Sequence, residues 1–201
     1  GTPNGLYRLD RTTGTATHYR TTAEPALSNN VVTMLYELQT GRLLVGTDGG
    51  GINVWDPVRE VFDYYRHDGD NPNSLTHDSV YSVYEDSSED LVWIGTWRGL
   101  ARVDRAAQAV HHYTEVDGLP GGAVYGIVAD SAGMLWLTTN RGLARFDPHA
   151  GTFRTYDTRD GLPAGRFVRT AIFQSEIGDI LIGRLDGLVA FYPVRIPENP
   201  Q

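Results

Sequence analysis

The sequence contains no cysteine, and this absence excludes disulfide bonds, thiolate metal sites and a cysteine nucleophile. No apolar run approaches the roughly 20 residues that a membrane-spanning helix needs. Long segments with the 3.6-residue periodicity of helices are also missing. Asp and Glu outnumber Lys and Arg by 25 to 17, and the basic residues are scattered. We therefore expect no nucleic-acid partner, because phosphate binding needs a basic surface.

What the chain does contain is a repeat. Residues 90–104 read Asp-Leu-Val-Trp-Ile-Gly-Thr-Trp-Arg-Gly-Leu-Ala-Arg-Val-Asp, and approximate copies cover residues 41–56, 133–147 and 178–192, with a partial copy at 1–10. The valine that starts each unit recurs after 49, 44 and 44 residues. A repeat of about 40 to 50 residues with four short strand patterns is typical of the blades of a β-propeller. The valines in question are Val31, Val80, Val124 and Val168.

Alternating apolar runs separated by Gly, Asp and Pro predict 17 strands. The predicted fold class is all-β, a propeller of four-stranded antiparallel blades with about four to five blades present, forming an arc of a larger ring. Closure as a small ring, or by pairing with a second copy, is the alternative. An open arc exposes strand edges, through which a second copy can pair, so self-association is predicted there. The predicted divisions are a partial blade at 1–30, blades at 31–79, 80–123 and 124–167, an incomplete blade at 168–193 and an exit linker at 194–201.

Several repeated residues have structural interpretations. Trp93 and Trp136 are predicted to wedge between neighbouring blades as core residues. The repeated glycines, Gly95 and Gly99 among them, are predicted to lie where blades crowd towards the axis. An aspartate after each third strand is expected to cap the following turn. These aspartates are Asp10, Asp56, Asp104 and Asp147.

The unit Val-Tyr-x-x-x-x-Asp-x-x-x-x-Leu-Trp-Ile-Gly-Thr-x-x-Gly-Leu-x-x-x-Asp, followed by Phe-x-x-Tyr and Asp-Gly-Leu-Pro, resembles the two-component regulator propeller repeat. Trp93 to Thr96 with Gly99-Leu100 is a close match, while Thr138 and Arg184 depart from the family pattern. Members of this family are extracytoplasmic sensor regions of bacterial transmembrane signalling proteins, many of which respond to oligosaccharides. The resemblance implies a non-catalytic sensor segment on the periplasmic or extracellular face of the inner membrane, within a longer membrane protein.

A ligand site is predicted on the face where the loops between second and third strands meet the loops between blades. Trp97 is a candidate to stack on a sugar ring, and the arginines are candidates to bind hydroxyls or a carboxylate. The predicted partner is a glycan or another small solute, with membrane contact only through segments outside this chain. The candidate ligand-binding residues are Asn30, Asp48, His77, Trp97, Arg98, Asn140, Arg141, Arg166, Arg184 and Asp186.

The sequence leaves two alternatives open. A propeller lyase or glycosidase needs a His or carboxylate set that converges, and the nearest candidates are His77 with Asp78 and His111 with His112. No such set can be assembled with any specificity, so we predict no catalytic residue, no bound metal and no cofactor. A purely structural or dimerisation scaffold is the second alternative, with the ligand recognised elsewhere.

Overall fold

The structure, a computed structural model, describes residues 1–196, and β-strands dominate it. Its 17 strands equal the number predicted, because runs of β-branched and aromatic residues alternate with turns rich in Gly and Asp. The only helical elements among these residues are three short 3-10 turns, at Glu115–Asp117, Thr158–Asp160 and Pro193–Arg195. No helix between residues 1 and 196 is long and apolar enough to cross a membrane. Of the predicted exit linker, residues 197–201 lie outside the described residues.

The strands form a β-propeller of four consecutive blades, preceded by a two-stranded N-terminal sheet. The N-terminal sheet comprises β1 (Leu6–Leu9) and β2 (Ala16–Tyr19). Blade 1 comprises β3 (Val32–Glu37), β4 (Leu43–Thr47), β5 (Ile52–Asp56) and β6 (Val61–Tyr65). Blade 2 comprises β7 (Val80–Asp86), β8 (Leu91–Thr96), β9 (Gly99–Asp104) and β10 (Ala109–Tyr113). Blade 3 comprises β11 (Val124–Ala129), β12 (Leu135–Thr139), β13 (Gly142–Asp147) and β14 (Thr152–Tyr156). Blade 4 comprises β15 (Phe167–Gln174), β16 (Ile180–Arg184) and β17 (Gly187–Phe191).

Within each blade, consecutive strands pair antiparallel in simple up-and-down order. The first strands of neighbouring blades, β3, β7, β11 and β15, contact one another and so form the inner wall of the propeller. In β7 and β11 the pairing register shifts by one residue, which leaves Tyr81 and Tyr125 as bulged residues without a partner on the second strand. A β-bulge redirects the side chain that it carries.

The two ends of the blade series are open. Leu9 at one end, and Phe173 and Leu188 at the other, are each more than 60 % exposed, at 63 %, 63 % and 62 %. An arc of a larger ring is the prediction consistent with these exposed apolar side chains. Self-association through them, like the predicted blade boundaries, stays a prediction.

Tryptophans fill two of the interfaces between blades, as predicted. Trp93 of blade 2 is 1 % exposed and packs with its ring centroid 5.6 Å from that of Phe146 in blade 3. Trp136 of blade 3 is fully buried and lies 4.9 Å from Phe191 in blade 4, measured between ring centroids. Its indole Nε1 also donates a hydrogen bond of 2.8 Å to Asp130. These large aromatic side chains supply much of the apolar surface that holds successive blades together.

The interface between blades 1 and 2 is built differently. Leu44 stands at the repeat position that Trp93 occupies in the next blade, two residues before the glycine of the second strand. The cross-strand pair Phe146 and Phe153 of blade 3 is replaced in blade 2 by the pair Val103 and Val110. An open groove of about 740 Å³ lies at this interface, and both aliphatic and polar side chains line it.

The prediction for the glycines was half right. A side chain at Gly95 would meet the Val124 carbonyl oxygen of blade 3 at 2.8 Å, so the blades do crowd at this position. A glycine is needed at position 99 for a different reason. Its φ is 126°, and a Cβ there would lie 2.5 Å from the carbonyl oxygen of Tyr113 in the same blade. Gly99 is therefore required by the turn into the third strand and not by crowding at the axis.

The aspartates after the third strands cap their turns as predicted. Asp147 accepts hydrogen bonds from the backbone N–H groups of His149 and Ala150, at 2.9 and 3.0 Å. These two donors, Ala150 first, lower the pKa of the Asp147 carboxyl group. The equivalent caps are made by Asp10, Asp56 and Asp104.

Candidate functional site

The blade-connecting loops that close with Asp-Gly-Leu-Pro have a common local structure. In the second of them, Asp157 accepts a hydrogen bond from the Arg159 N–H, and the Asp160 carboxylate accepts one from the Asp157 N–H. This reciprocal capping holds a single 3-10 turn, which ends at Gly161 with a φ of 89°. The loop then passes across the end of blade 4, where it forms one wall of a cleft.

This cleft has a volume of about 730 Å³ and lies on the face where the predicted loops meet. Its walls come from the loops after the second strands of blades 2, 3 and 4 and from the loop between blades 3 and 4. Four predicted residues line it together: Trp97, Asn140, Arg141 and Arg166. A volume of this size lies within the usual range for small-molecule sites.

The polar side chains of the cleft are held by local contacts. Asn140 Oδ1 accepts a hydrogen bond of 3.2 Å from the Ala123 N–H, which fixes the amide against the loop before blade 3. The Arg141 guanidinium lies 3.8 Å from the Glu115 carboxylate, and both side chains are more than half exposed. Such an exposed pair contributes little stability, so Arg141 can turn towards a ligand at little cost.

An aromatic cluster stands at the side of the cleft nearest the propeller axis. Trp97 is 44 % exposed, and its ring makes an edge contact with Tyr81, with 6.4 Å between centroids. Tyr81 in turn makes an edge contact with Tyr125, at 5.7 Å. The guanidinium carbon of Arg169 on β15 lies 4.8, 5.6 and 5.8 Å from the ring centroids of Tyr81, Tyr125 and Trp97 respectively. One arginine of blade 4 thus contacts aromatic rings from blades 2 and 3.

Sequence reasoning missed Tyr81, Tyr125 and Arg169. A usable signal was present, because each follows the valine that begins a repeat unit: Val80-Tyr81, Val124-Tyr125 and Val168-Arg169. Burial raises the pKa of Tyr81, and the Asp48 carboxylate adds to this effect while the Arg169 charge opposes it. The phenol of Tyr81 consequently stays neutral at physiological pH, as a cation–π partner should be.

Arg184 and Asp186, predicted to bind ligand, contact each other. The Arg184 guanidinium donates to both carboxylate oxygens of Asp186, at 3.0 and 2.9 Å, and also to the backbone carbonyls of Pro163 and Ala164. Arg184 is only 8 % exposed. Its place in the structure is beneath the loop between blades 3 and 4, which it holds against blade 4.

The other four predicted residues do not line the cleft and belong to blades 1 and 2 and the loops beside them: Asn30, Asp48, His77 and Arg98. Asn30 accepts a hydrogen bond from the Thr21 N–H, and the backbone of Asp48 forms an isolated bridge with Ser79. His77 Nδ1 accepts a hydrogen bond of 2.9 Å from the Ser79 N–H. Burial lowers the pKa of His77, Asp78 and Asp48 oppose this shift, and the charge of Arg98 adds to it.

The histidines considered for catalysis have structural contacts. Asp78, next to His77, accepts a hydrogen bond from the His67 N–H at 2.7 Å. His111 and His112 are exposed on β10, the outer strand of blade 2. His112 Nε2 lies 2.8 Å from the carbonyl oxygen of Ser74 in the loop that precedes that blade. None of these histidines lines the cleft.

Residues 74–98 and 118–141 match the profile of the two component regulator propeller family. Each stretch runs from the loop between blades, through the bulged first strand, to the loop after the second strand, and thus includes residues that line the cleft. These two stretches are therefore similar to two-component regulator propeller repeats. They include Gly118-Leu119-Pro120 and the Val-Tyr starts at Val80-Tyr81 and Val124-Tyr125.

The same propeller occurs in solved structures. The chain superimposes, over 98 % of its length, on the extracellular domain assigned to a hybrid two component system of B. thetaiotaomicron, with 22 % identity and a TM-score of 0.82. A second extracellular domain of this kind from B. thetaiotaomicron is 25 % identical over 94 % of the chain, with a TM-score of 0.79. The chain spans about a quarter of these structures, 28 % and 25 % of their length.

Virginiamycin B lyase from Staphylococcus aureus shares the fold at 17 % identity and a TM-score of 0.65, over 97 % of this chain and 66 % of the lyase. At that identity the likeness concerns the architecture alone. No sequence among curated proteins matches the chain.

Proposed function

We propose that this chain is a non-catalytic, ligand-binding segment of the sensor region of a bacterial two-component signalling protein, and that its ligand is an oligosaccharide. The similarity to extracellular domains of hybrid two component systems supports an extracytoplasmic sensor. The family match to two component regulator propellers supports the same assignment from the sequence side. We further propose the periplasmic or extracellular side of the inner membrane as its location.

One observation carries the saccharide assignment. The half-exposed ring of Trp97 stands at the side of an open cleft, beside the amide of Asn140 and the guanidinium of Arg141. An exposed indole in a polar cleft fits the apolar face of a sugar ring, while amide and guanidinium groups fit its hydroxyls. The aromatic contacts of Trp97 with Tyr81 and Arg169 fix its position before any ligand arrives.

Intrinsic fluorescence tests this proposal directly. Trp97 is the exposed indole among four, because Trp55, Trp93 and Trp136 are 8 %, 1 % and 0 % exposed. A saccharide that stacks in the cleft should shift or quench the emission of Trp97, and the replacement Trp97→Phe should remove the signal. Titration with a panel of oligosaccharides, followed by fluorescence and by the unfolding temperature, measures both effects.

The alternatives predict different results. A ligand that binds the folded state raises its stability by RT ln(1 + [L]/Kd), whereas a pure scaffold shows no shift with any saccharide. An enzyme of the lyase or glycosidase class would release product during incubation with the same panel. Absence of any fluorescence or stability change across the panel would contradict the saccharide sensor.

A further inference from the structure

The cleft is cationic although the protein as a whole is acidic. Three arginines line it, Arg141, Arg166 and Arg169, against a single acidic residue, Asp157. The Asp157 carboxylate is held by the Arg159 guanidinium at 2.7 Å, so its charge is largely compensated. The chain carries a formal net charge of −8, which repels anions at long range. Arginines gathered at one cleft of such a protein indicate local recognition of negative charge.

Arg169 has the geometry of an anion anchor. Its guanidinium carbon is surrounded by three aromatic rings, at 4.8, 5.6 and 5.8 Å. Among residues 1–196, no carboxylate lies within ion-pair distance of its guanidinium. A guanidinium has five N–H donors in its plane, and stacking against rings leaves those donors free to bind a carboxylate with two parallel hydrogen bonds.

The backbone around Arg169 is shaped to bring this side chain inwards. Residues 168–171 of β15 face Gly183 alone on β16, so four residues form a wide bulge opposite one. Thr170, within the bulge, has a φ of 60°, which is uncommon for a residue other than glycine. A strained bulge beside a cleft is a feature of binding sites, where it aims a particular side chain.

We propose that the cleft recognises an acidic oligosaccharide, in which the carboxylate of a uronate residue binds Arg169 while its sugar ring stacks on Trp97. Arg166 supplies a second positive charge to the cleft lining. Arg141 can also bind the carboxylate once its guanidinium leaves Glu115. This inference rests on the proposed function, because it specifies the class of oligosaccharide. Guanidinium groups favour a carboxylate over a hydroxyl, since hydrogen bonds between charged partners are the stronger ones.

Pairs of oligosaccharides that differ only in charge test whether the cleft recognises a carboxylate. Calorimetric titrations use short oligomers of galacturonate, glucuronate and mannuronate, each beside its methyl ester, which keeps the rings and removes the charge. We expect at least one acid form to bind about tenfold or more tightly than its ester, because the ester loses a charge-assisted hydrogen bond. The affinity of the acid form should also fall as the salt concentration rises.

Variants identify the anchor. In Arg169→Gln the ratio between the affinities of acid and ester should fall to about twofold. The reason is that the variant has lost the charged hydrogen bond that favours the acid. Arg166→Gln leaves the aromatic cluster intact and should weaken acid binding to a smaller degree. Arg59→Gln is the control for net charge, because Arg59 lies in blade 1 and its guanidinium makes an exposed contact of 3.9 Å with Asp63, while the backbone N–H that donates to Asp56 is kept in the variant. It should leave both affinities unchanged.

The possible failures are distinguishable. If esters or neutral oligosaccharides bind as tightly as the acids, the acidic-ligand inference is wrong and the saccharide sensor stands. If acids bind tightly but Arg169→Gln changes nothing, the anchor is wrong and with it the inference. If no saccharide of either kind binds, both the inference and the proposed function are overturned.

Discussion

The guanidinium carbon of Arg169 lies 4.8 Å from the ring centroid of Tyr81, although blade 3 stands between the strands that carry them. Tyr81 is 3 % exposed, so the contact is partly shielded from water. Cation–π contacts gain strength as water is removed from them. A single side chain from blade 4 therefore links the inner strands of blades 2 and 4.

A double-mutant cycle measures this link. Arg169→Gln and Tyr81→Leu should each lower the free energy of unfolding, and their combined effect should be smaller than the sum by about 1 kcal/mol, the value of a partly buried cation–π contact. Urea unfolding of the four proteins gives the coupling. The pair Arg59→Gln and Tyr81→Leu serves as the control, since distant sites should be additive. Full additivity of the Arg169 cycle would show that the contact contributes no stability.

Trp93 and Trp97, four residues apart, should lose very different amounts of stability on the same replacement. Trp93→Leu removes a 1 % exposed wedge between blades 2 and 3 and should cost about 2–4 kcal/mol of unfolding free energy. Trp97→Leu, at a 44 % exposed position, should cost less than about 1 kcal/mol. Chemical unfolding checks both values. Equal losses would mean that Trp97 is a core residue and that the cleft is not preformed.

The sequence was sufficient to predict the blades because each repeat satisfies its own local rules. Alternation specifies the strands, and Gly99 and Asp104 specify the turns on either side of a third strand. The position of Asn140 and Arg141 beside the cleft follows from the same reasoning, since the loop after a second strand emerges on one face, while their binding of a ligand stays a prediction. For these residues, local pattern and final position coincide.

Arg169 and Arg184 show where such reasoning ends. Residues 168–171 form a bulge that departs from the two-residue period of a strand, so the direction of the Arg169 side chain cannot be read from the pattern. Its aromatic partners come from two other blades, and only the curvature of the propeller brings them together. Arg184 occupies a predicted loop position, yet the carbonyls of Pro163 and Ala164 draw its side chain beneath the neighbouring loop.

The pH dependence of stability should report on His77. Burial lowers its pKa in the folded state, and the unfolded chain, with a pKa of about 6.5, then takes up the proton more readily. Above about pH 6.5 His77 is neutral in both states and therefore does not change the free energy of unfolding. As the pH drops from about 6.5 towards the lowered folded pKa, the free energy of unfolding falls. Protonation at Nδ1 would also remove the acceptor for the Ser79 N–H.

Urea unfolding at pH 7.5 and pH 5.0 tests this sign. His77→Gln should lose less stability than the parent protein between the two pH values. His111→Gln, on the exposed outer strand of blade 2, is the matched control and should behave as the parent does. If His77→Gln and the parent show the same pH dependence, the burial of His77 has no energetic effect.

The groove between blades 1 and 2 predicts that the protein can be stabilised by introducing aromatic residues there. Val103 and Val110 form the cross-strand pair that corresponds to Phe146 and Phe153, whose ring centroids lie 4.4 Å apart in blade 3. Both valines line the groove of about 740 Å³. Val103→Phe with Val110→Phe should therefore place two rings against Leu44 of blade 1 without displacing a neighbour.

The expected gain is about 1–2 kcal/mol in the free energy of unfolding, since cavity filling commonly adds about that much. Each ring buries apolar surface that water now reaches, and the two rings also contact each other. Val58→Phe, at a turn position that is 90 % exposed, provides the control and should leave stability unchanged. Destabilisation of the double variant would mean that the interface cannot accept larger side chains, because overpacking a core lowers stability. A gain would show that the interface at Leu44 has room for larger side chains, as the interface between blades 2 and 3 already accommodates the same pair of rings.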